Sequence, residues 1–134
     1  MQLRNGIMHL TKQPTEKSYI EGFLTGQMVA YCEQVKLGSR LAGAINCDQS
    51  YVDKLISVAV QEDCRIEIVP TSPGRVCFWV YKYEFLKSII GHLQSIPNGN
   101  IESDFGIWAM GKLFGYADCE IARFIDEKLN PVPK

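Results

Sequence analysis

Nucleophilic, acid–base or metal chemistry in this sequence would fall to two histidines, five cysteines and a scatter of acids. The cysteines (Cys32, Cys47, Cys64, Cys77 and Cys119) stand far apart and form no CxxC pair. Zinc sites draw on closely spaced ligands, usually two on each of two knuckles, and His9 and His92 supply the only imidazoles. The thiols therefore read as reduced, mostly buried small hydrophobes, and their odd number suits a reducing compartment better than a disulfide framework. His92, in Gly91-His92-Leu93, is placed to approach Cys64 or Cys77, but nothing in the sequence requires it to. Glu102 and Asp104 flank Ser103 and read as helix-start acids rather than an acid–base pair. No G-x-G-x-x-G, P-loop or G-x-S-x-G motif occurs. The expectation is a protein that is not an enzyme, with no catalytic residues, metal or cofactor.

Binding chemistry is more visible. Arg65 and Arg75 flank an expected hairpin, and Phe78, Trp79, Tyr81 and Tyr83 fill its second strand and the step beyond it. Arg40 stands among small residues, and Asn98 and Asn100 lie on a glycine-containing loop. Aromatic faces stack on bases, Arg grips phosphate bidentately, and Asn matches amide-like base edges. The hydroxyls, glycine and arginine of Thr71-Ser72-Pro73-Gly74-Arg75 would suit one phosphate. Arg40, Arg65, Ser72, Arg75, Trp79, Tyr81, Asn98 and Asn100 are thus the candidate site for a small anionic, nucleotide-like ligand. A buried aromatic strand with a solvated loop explains the same residues without a ligand, and such strands also occur at dimer interfaces.

The elements that must position these residues follow from periodicity. Gly6 to Leu10 reads as a short strand. After Pro14, with Thr15 as N-cap, Tyr19, Ile20, Phe23, Leu24, Met28, Tyr31, Cys32 and Val35 recur at helical steps and are expected inward. Gly22 and Gly26, one turn apart, leave one face smooth for another helix or a partner chain. Leu37 to Asn46 is expected to extend this helix or to begin a second after Gly38. Asp48 or Ser50 caps the next, with Tyr51, Val52, Leu55, Ile56, Ala59 and Val60 inward. Cys64 to Val69 alternates apolar and charged residues, Pro70 to Arg75 is a turn, and Val76 to Tyr81 is a strand apolar on both faces, which together predict a β-hairpin. Such a strand needs cover on each side. Tyr83 to Gln94 reads as a helix with Phe85, Leu86, Ile89, Ile90 and Leu93 inward, Ser95 to Asp104 as a loop, and 130–134 as a frayed tail.

Met110 to Ile125 (MGKLFGYADCEIARFI) resembles a DNA-binding helix-turn-helix in its framework: Gly111, Gly115, Tyr116, Ile121 and Phe124, with Leu113 and Phe114 in the first helix. Framework proves geometry only. The would-be recognition helix, Ala117 to Leu129, carries four acids against Arg123 and Lys128, and Arg123 alone is a good base or phosphate reader. Gly22 to Gln27 (GFLTGQ) is similar to the helix of the LAGLIDADG homing endonucleases, in which an acidic residue at the helix end binds the metal. Thr25 and Gln27 stand where acids would be expected, so the resemblance does not carry a nuclease role.

At 134 residues, 46% apolar, 22% charged and net charge −1, the chain reads as one domain over 1–134, cytoplasmic, with no membrane segment and no general affinity for phosphate backbones. The fold expected is α+β: predominantly helical, one hairpin that a third strand would extend to an antiparallel sheet, and a C-terminal helix-turn-helix-like pair. The function expected is non-catalytic binding by a homo-oligomer, of a small anionic ligand or a protein partner, in the manner of small regulators or inhibitors, including phage-encoded ones. The alternative is a DNA-binding transcriptional regulator that depends on Arg123.

Overall fold

The computed structural model describes residues 16–95 and 104–129. Helix α1 (Glu16–Leu37) leads into strand β1 (Ala42–Asp48), a 3-10 turn (Gln49–Tyr51) and helix α2 (Val52–Gln61). The hairpin strands β2 (Arg65–Ser72) and β3 (Arg75–Tyr81) follow, then α3 (Leu86–Gln94), α4 (Asp104–Leu113) and α5 (Asp118–Leu129). The expected strand at Gly6 to Leu10, the loop residues Asn98 and Asn100, and the tail at 130–134 lie outside the described residues.

Strand β3 is central, antiparallel to β1 on one side and to β2 on the other, so the sheet order is β1-β3-β2. The architecture is the expected α+β one, with the third strand supplied by β1. Leu37 to Asn46 is not the helix that its residues suggest: Gly38 at φ 85° ends α1, and Ser39 N–H closes onto the Gln34 carbonyl at 3.0 Å. Residues 42–48 then pair along the whole of β3, from Ala42 opposite Tyr81 to Asp48 opposite Arg75. Pairing to β3 outweighs the helical preference of Ala42 and Ala44, which Gly43, Asn46 and Asp48 weaken.

The double-sided apolar strand finds the cover it requires. Val76, Phe78 and Val80 face a layer built from Leu24, Met28 and Cys32 of α1 and from Leu55, Val58 and Ala59 of α2. Cys77, Trp79 and Tyr81 face the other layer, with Leu86, Ile90 and Leu93 of α3 and Ala109 and Leu113 of α4. Burial of such side chains contributes about 1.5–3 kcal/mol each. Several residues expected inward are exposed: Tyr19, Ile20 and Phe23 on α1, Val60 on α2, and Phe85 and Ile89 around α3. The buried stripe of α1 begins only at Leu24, so its first two turns are left with an apolar surface.

Candidate functional site

The residues nominated for an anionic ligand do not converge. Arg65 and Tyr81 face each other at one end of the hairpin, Ser72 and Arg75 at the other, some 20 Å apart at about 3.4 Å per residue. Arg65 is taken by Glu84 at 2.7 Å and by the Lys82 carbonyl at 3.2 Å. Arg40 is a clamp: its guanidinium lies over the rings of Tyr31 and Phe114, Nε donates to the Ala42 carbonyl at 2.9 Å, and Nη1 donates to Gln34 Oε1 at 3.1 Å. It therefore fastens α1, β1 and the end of α4 to one another. Trp79 is wholly buried and stacked on Phe114, and Tyr81 is 2% exposed. Among the described residues the Trp79 indole N–H finds no oxygen or nitrogen acceptor, and the neighbouring Cys77 sulfur is a weak substitute. Ser72 and Arg75 remain exposed at the hairpin tip.

The thiols are buried or partly buried except Cys119, which is exposed. Burial, reinforced by the adjacent Cys64, pushes the Cys32 thiol up to about 12, and burial pushes Cys77 up to about 11. Such groups stay protonated near neutrality, when the thiolate is the nucleophile. His92 is exposed beside a shallow hollow between α3 and α4, and among the described residues no hydrogen bond joins it to a thiol. Asp104 stands at the start of α4, its carboxylate accepting the Phe105 N–H at 2.7 Å. On α1, Thr25 Oγ1 is buried with no hydrogen-bond partner among the described residues, and Gln27 donates to the Tyr31 hydroxyl at 3.1 Å. Among the described residues no cluster of three His, Cys, Asp or Glu could hold a metal, and no helix is long and apolar enough to cross a membrane.

The helix-turn-helix frame forms in part. Gly115 takes φ 81° at the corner, and Gly111 lies so close to Ile121 that a Cβ there would sit 2.7 Å from Ile121 Cγ1. Only glycine permits both the left-handed corner and this crossing. Lys112 reaches Asp118 at 2.6 Å across the turn. Tyr116 and Phe124, which should clamp the two helices, are instead 59% and 52% exposed. Ile121 is the buried anchor of α5, and beside it the pair gapes into a groove of about 680 Å³. Ile107, Met110 and Phe114 form the α4 side of this groove, Phe124 the α5 side, with Glu120, Arg123, Glu127 and Lys128 around its rim.

Sequence reasoning missed this groove because a framework pattern marks which positions are apolar without showing whether the helices close over them. An available signal was the aromatic excess of the pair, with Phe105, Trp108 and Phe124 on two short helices and Phe114 and Tyr116 in the turn between them. Compared with the models of known protein families and with the curated proteins, the chain matches none.

Proposed function

We propose that the protein is a non-catalytic, oligomeric binding protein whose recognition element is the α4–α5 groove, and that its ligand is an apolar segment of a protein partner. The observation that carries this reading is the pair of exposed aromatics, Tyr116 and Phe124, at positions where a closed helix pair would bury them. Contiguous exposed apolar surface rimmed by charge is characteristic of protein-contact sites. The small-anion alternative draws less support, since Arg65 and Arg40 are engaged within the fold and Trp79 is out of reach of solvent.

The test is a titration of isotopically labelled protein with three probes: a 14-residue amphipathic Leu/Lys helical peptide, ATP, and a mixed-sequence DNA duplex. The peptide is expected to shift the amides of α4 and α5, and Met110→Glu to weaken it by about tenfold or more. ATP binding lost on Arg75→Ala would overturn this reading in favour of the hairpin tip. A second reading, DNA recognition, is favoured by the glycine corner and the close Gly111–Ile121 crossing. It demands duplex binding that falls steeply with salt and is lost on Arg123→Ala.

A further inference from the structure

We propose that Cys32 and Cys64 form a redox-responsive thiol pair, which hydrogen peroxide converts to a disulfide that staples helix α1 to the corner between α2 and β2. The inference goes beyond the reading of the groove and does not depend on it, because the pair lies in the layer on the other face of the sheet. Cys32 belongs to the buried stripe of α1, and Cys64 stands between α2 and β2. Asp63 at φ 59° turns the chain there, and the Cys64 N–H bonds back to the Ala59 carbonyl at 3.0 Å. This turn carries Cys64 Sγ to 3.8 Å from the Cys32 carbonyl oxygen, and the two thiols share a hydrogen bond. One helical turn further along α1, Lys36 Nζ stands 3.8 Å from Glu62, so an ion pair already spans the same corner. Cys47 and Cys77 are the contrasting case. Cys47 stands opposite Val76 and Cys77 opposite Asn46, one step apart on neighbouring strands. Their side chains therefore leave opposite faces of the sheet and point apart, which no disulfide accommodates.

The two thiols divide the work that such a pair requires. Cys64 is partly exposed and Cys32 is buried, so a small neutral oxidant meets Cys64 first. The Cys64 thiolate, which accepts the Cys32 S–H and feels the Lys36 ammonium, attacks one peroxide oxygen. The O–O bond breaks, the departing hydroxide takes up a proton as water, and Cys64 becomes a sulfenic acid. The Cys32 sulfur then attacks the Cys64 sulfur, the S–O bond breaks, and the hydroxyl leaves with the Cys32 proton as a second water. Two thiols have given up two electrons, and one peroxide has become two waters. Burial raises the Cys64 thiol above its ordinary value, so little thiolate is present near neutrality and the response is slow. The pair thus records sustained oxidation rather than a brief pulse. The bridge closes a loop that contains β1 and α2, and closing a loop restricts the unfolded chain, which makes the oxidised protein the more stable form.

The experiment is prolonged peroxide treatment of the reduced, native full chain, followed by catalase, alkylation with iodoacetamide in denaturant and non-reducing peptide mapping. The expected product is a pair of peptides joined through Cys32 and Cys64, lighter by two hydrogens and separated by dithiothreitol. The bridge should raise Tm by roughly 10 °C, reversed on reduction. Cys119→Ser should leave both results unchanged. Cys64→Ser should lose both, and Cys32→Ala should lose both while leaving Cys64 as a sulfenic acid that dimedone traps. Circular dichroism checks the fold of each variant, and the wild-type map decides the matter without them. A wild type in which Cys32 is alkylated as fully after peroxide as before would overturn the proposal. So would Cys64 halted at the sulfenic or sulfinic stage, disulfides formed only through Cys119 between chains, or a Cys32–Cys64 bridge that leaves Tm unmoved.

Discussion

Gly115→Ala is the substitution whose cost follows most directly from the structure. Two separate penalties meet at this corner. The backbone stands at φ 81°, a region that costs an L-residue about 1–2 kcal/mol. A Cβ there would also lie 2.3 Å from the Ser39 carbonyl oxygen and 3.2 Å from Arg40 Cβ. The oxygen belongs to backbone that is pinned nearby, since Leu41 N–H donates to the Leu113 carbonyl at 2.9 Å, so relief requires the α4–α5 corner to lift from the α1–β1 connection. Forced overpacking of this kind costs about 1–3 kcal/mol. The sum is roughly 2–5 kcal/mol, or a fall in Tm of roughly 7–18 °C at about 3.6 °C per kcal/mol for a chain of this length. Gly74 and Gly38 are the internal controls, with φ 77° and 85° and open space where a Cβ would go. Their alanine variants should lose only the backbone part, about 1–2 kcal/mol. Urea unfolding of the three variants side by side separates the terms. Equal losses at Gly115, Gly74 and Gly38 would refute the claim that Gly115 is wedged against Ser39.

Other consequences can be measured on the same material. Trp79→Phe should cost under about 1.5 kcal/mol, against about 3–5 kcal/mol for Trp79→Ala, because the Phe variant removes an indole N–H that has no good acceptor among the described residues; equal losses in chemical denaturation would argue against that orphan donor. Asp63 holds φ 59° just past the end of α2, so Asp63→Gly should stabilise by about 0.5–1 kcal/mol, seen as a Tm increase. The Ser50 N–H bonded to Asp48 at 2.9 Å holds that carboxyl below its ordinary 3.8. Asp48 therefore stabilises fully above the ordinary value and loses this contribution as pH falls through the folded-state value, so the stability difference between wild type and Asp48→Asn should be flat near neutrality and shrink in acid. Iodoacetamide should label Cys119 in the native protein and reach Cys32, Cys47 and Cys77 only after unfolding, as peptide mass mapping would show. Cys32 and Cys77 keep their protons to about 12 and 11 when folded, whereas the unfolded chain releases them near 9; stability should therefore decline as pH rises above 9.

Much of the sheet was legible in the sequence, because the alternation in Arg65 to Ile68 has a strand's period and the apolar run Val76 to Tyr81, rich in β-branched and aromatic residues, follows a turn at once. The double-sided strand even implied a central position with cover on both faces. Strand β1 was not legible, since Ala42, Gly43 and Ala44 carry almost no periodic signal and become a strand through what they pair with. Gly43 hides a further long-range fact: a Cβ there would lie 2.9 Å from Tyr31 Cβ, so α1 crosses the strand at contact distance. The arginines misled for a related reason. Residue type announces affinity for phosphate, but Arg40 and Arg65 spend theirs on carbonyls, rings and Glu84 within the fold. At the C-terminus the glycines fixed the corner and the crossing, while the opening of the groove depends on how far α5 leans from α4, which no spacing encodes.

The central strand is the last of the three to leave the ribosome. Among the described residues, strands β1 and β2 pair only with β3, never with each other, so neither finds a strand partner there until residues 75–81 are available. During synthesis α1 and α2 can form and even meet, but the apolar faces of two unpaired strands wait in the open, the circumstance in which nascent chains need chaperones or aggregate. A nested series of stalled chains should show protease resistance rising abruptly once Tyr81 has cleared the exit tunnel rather than in steps as each strand appears.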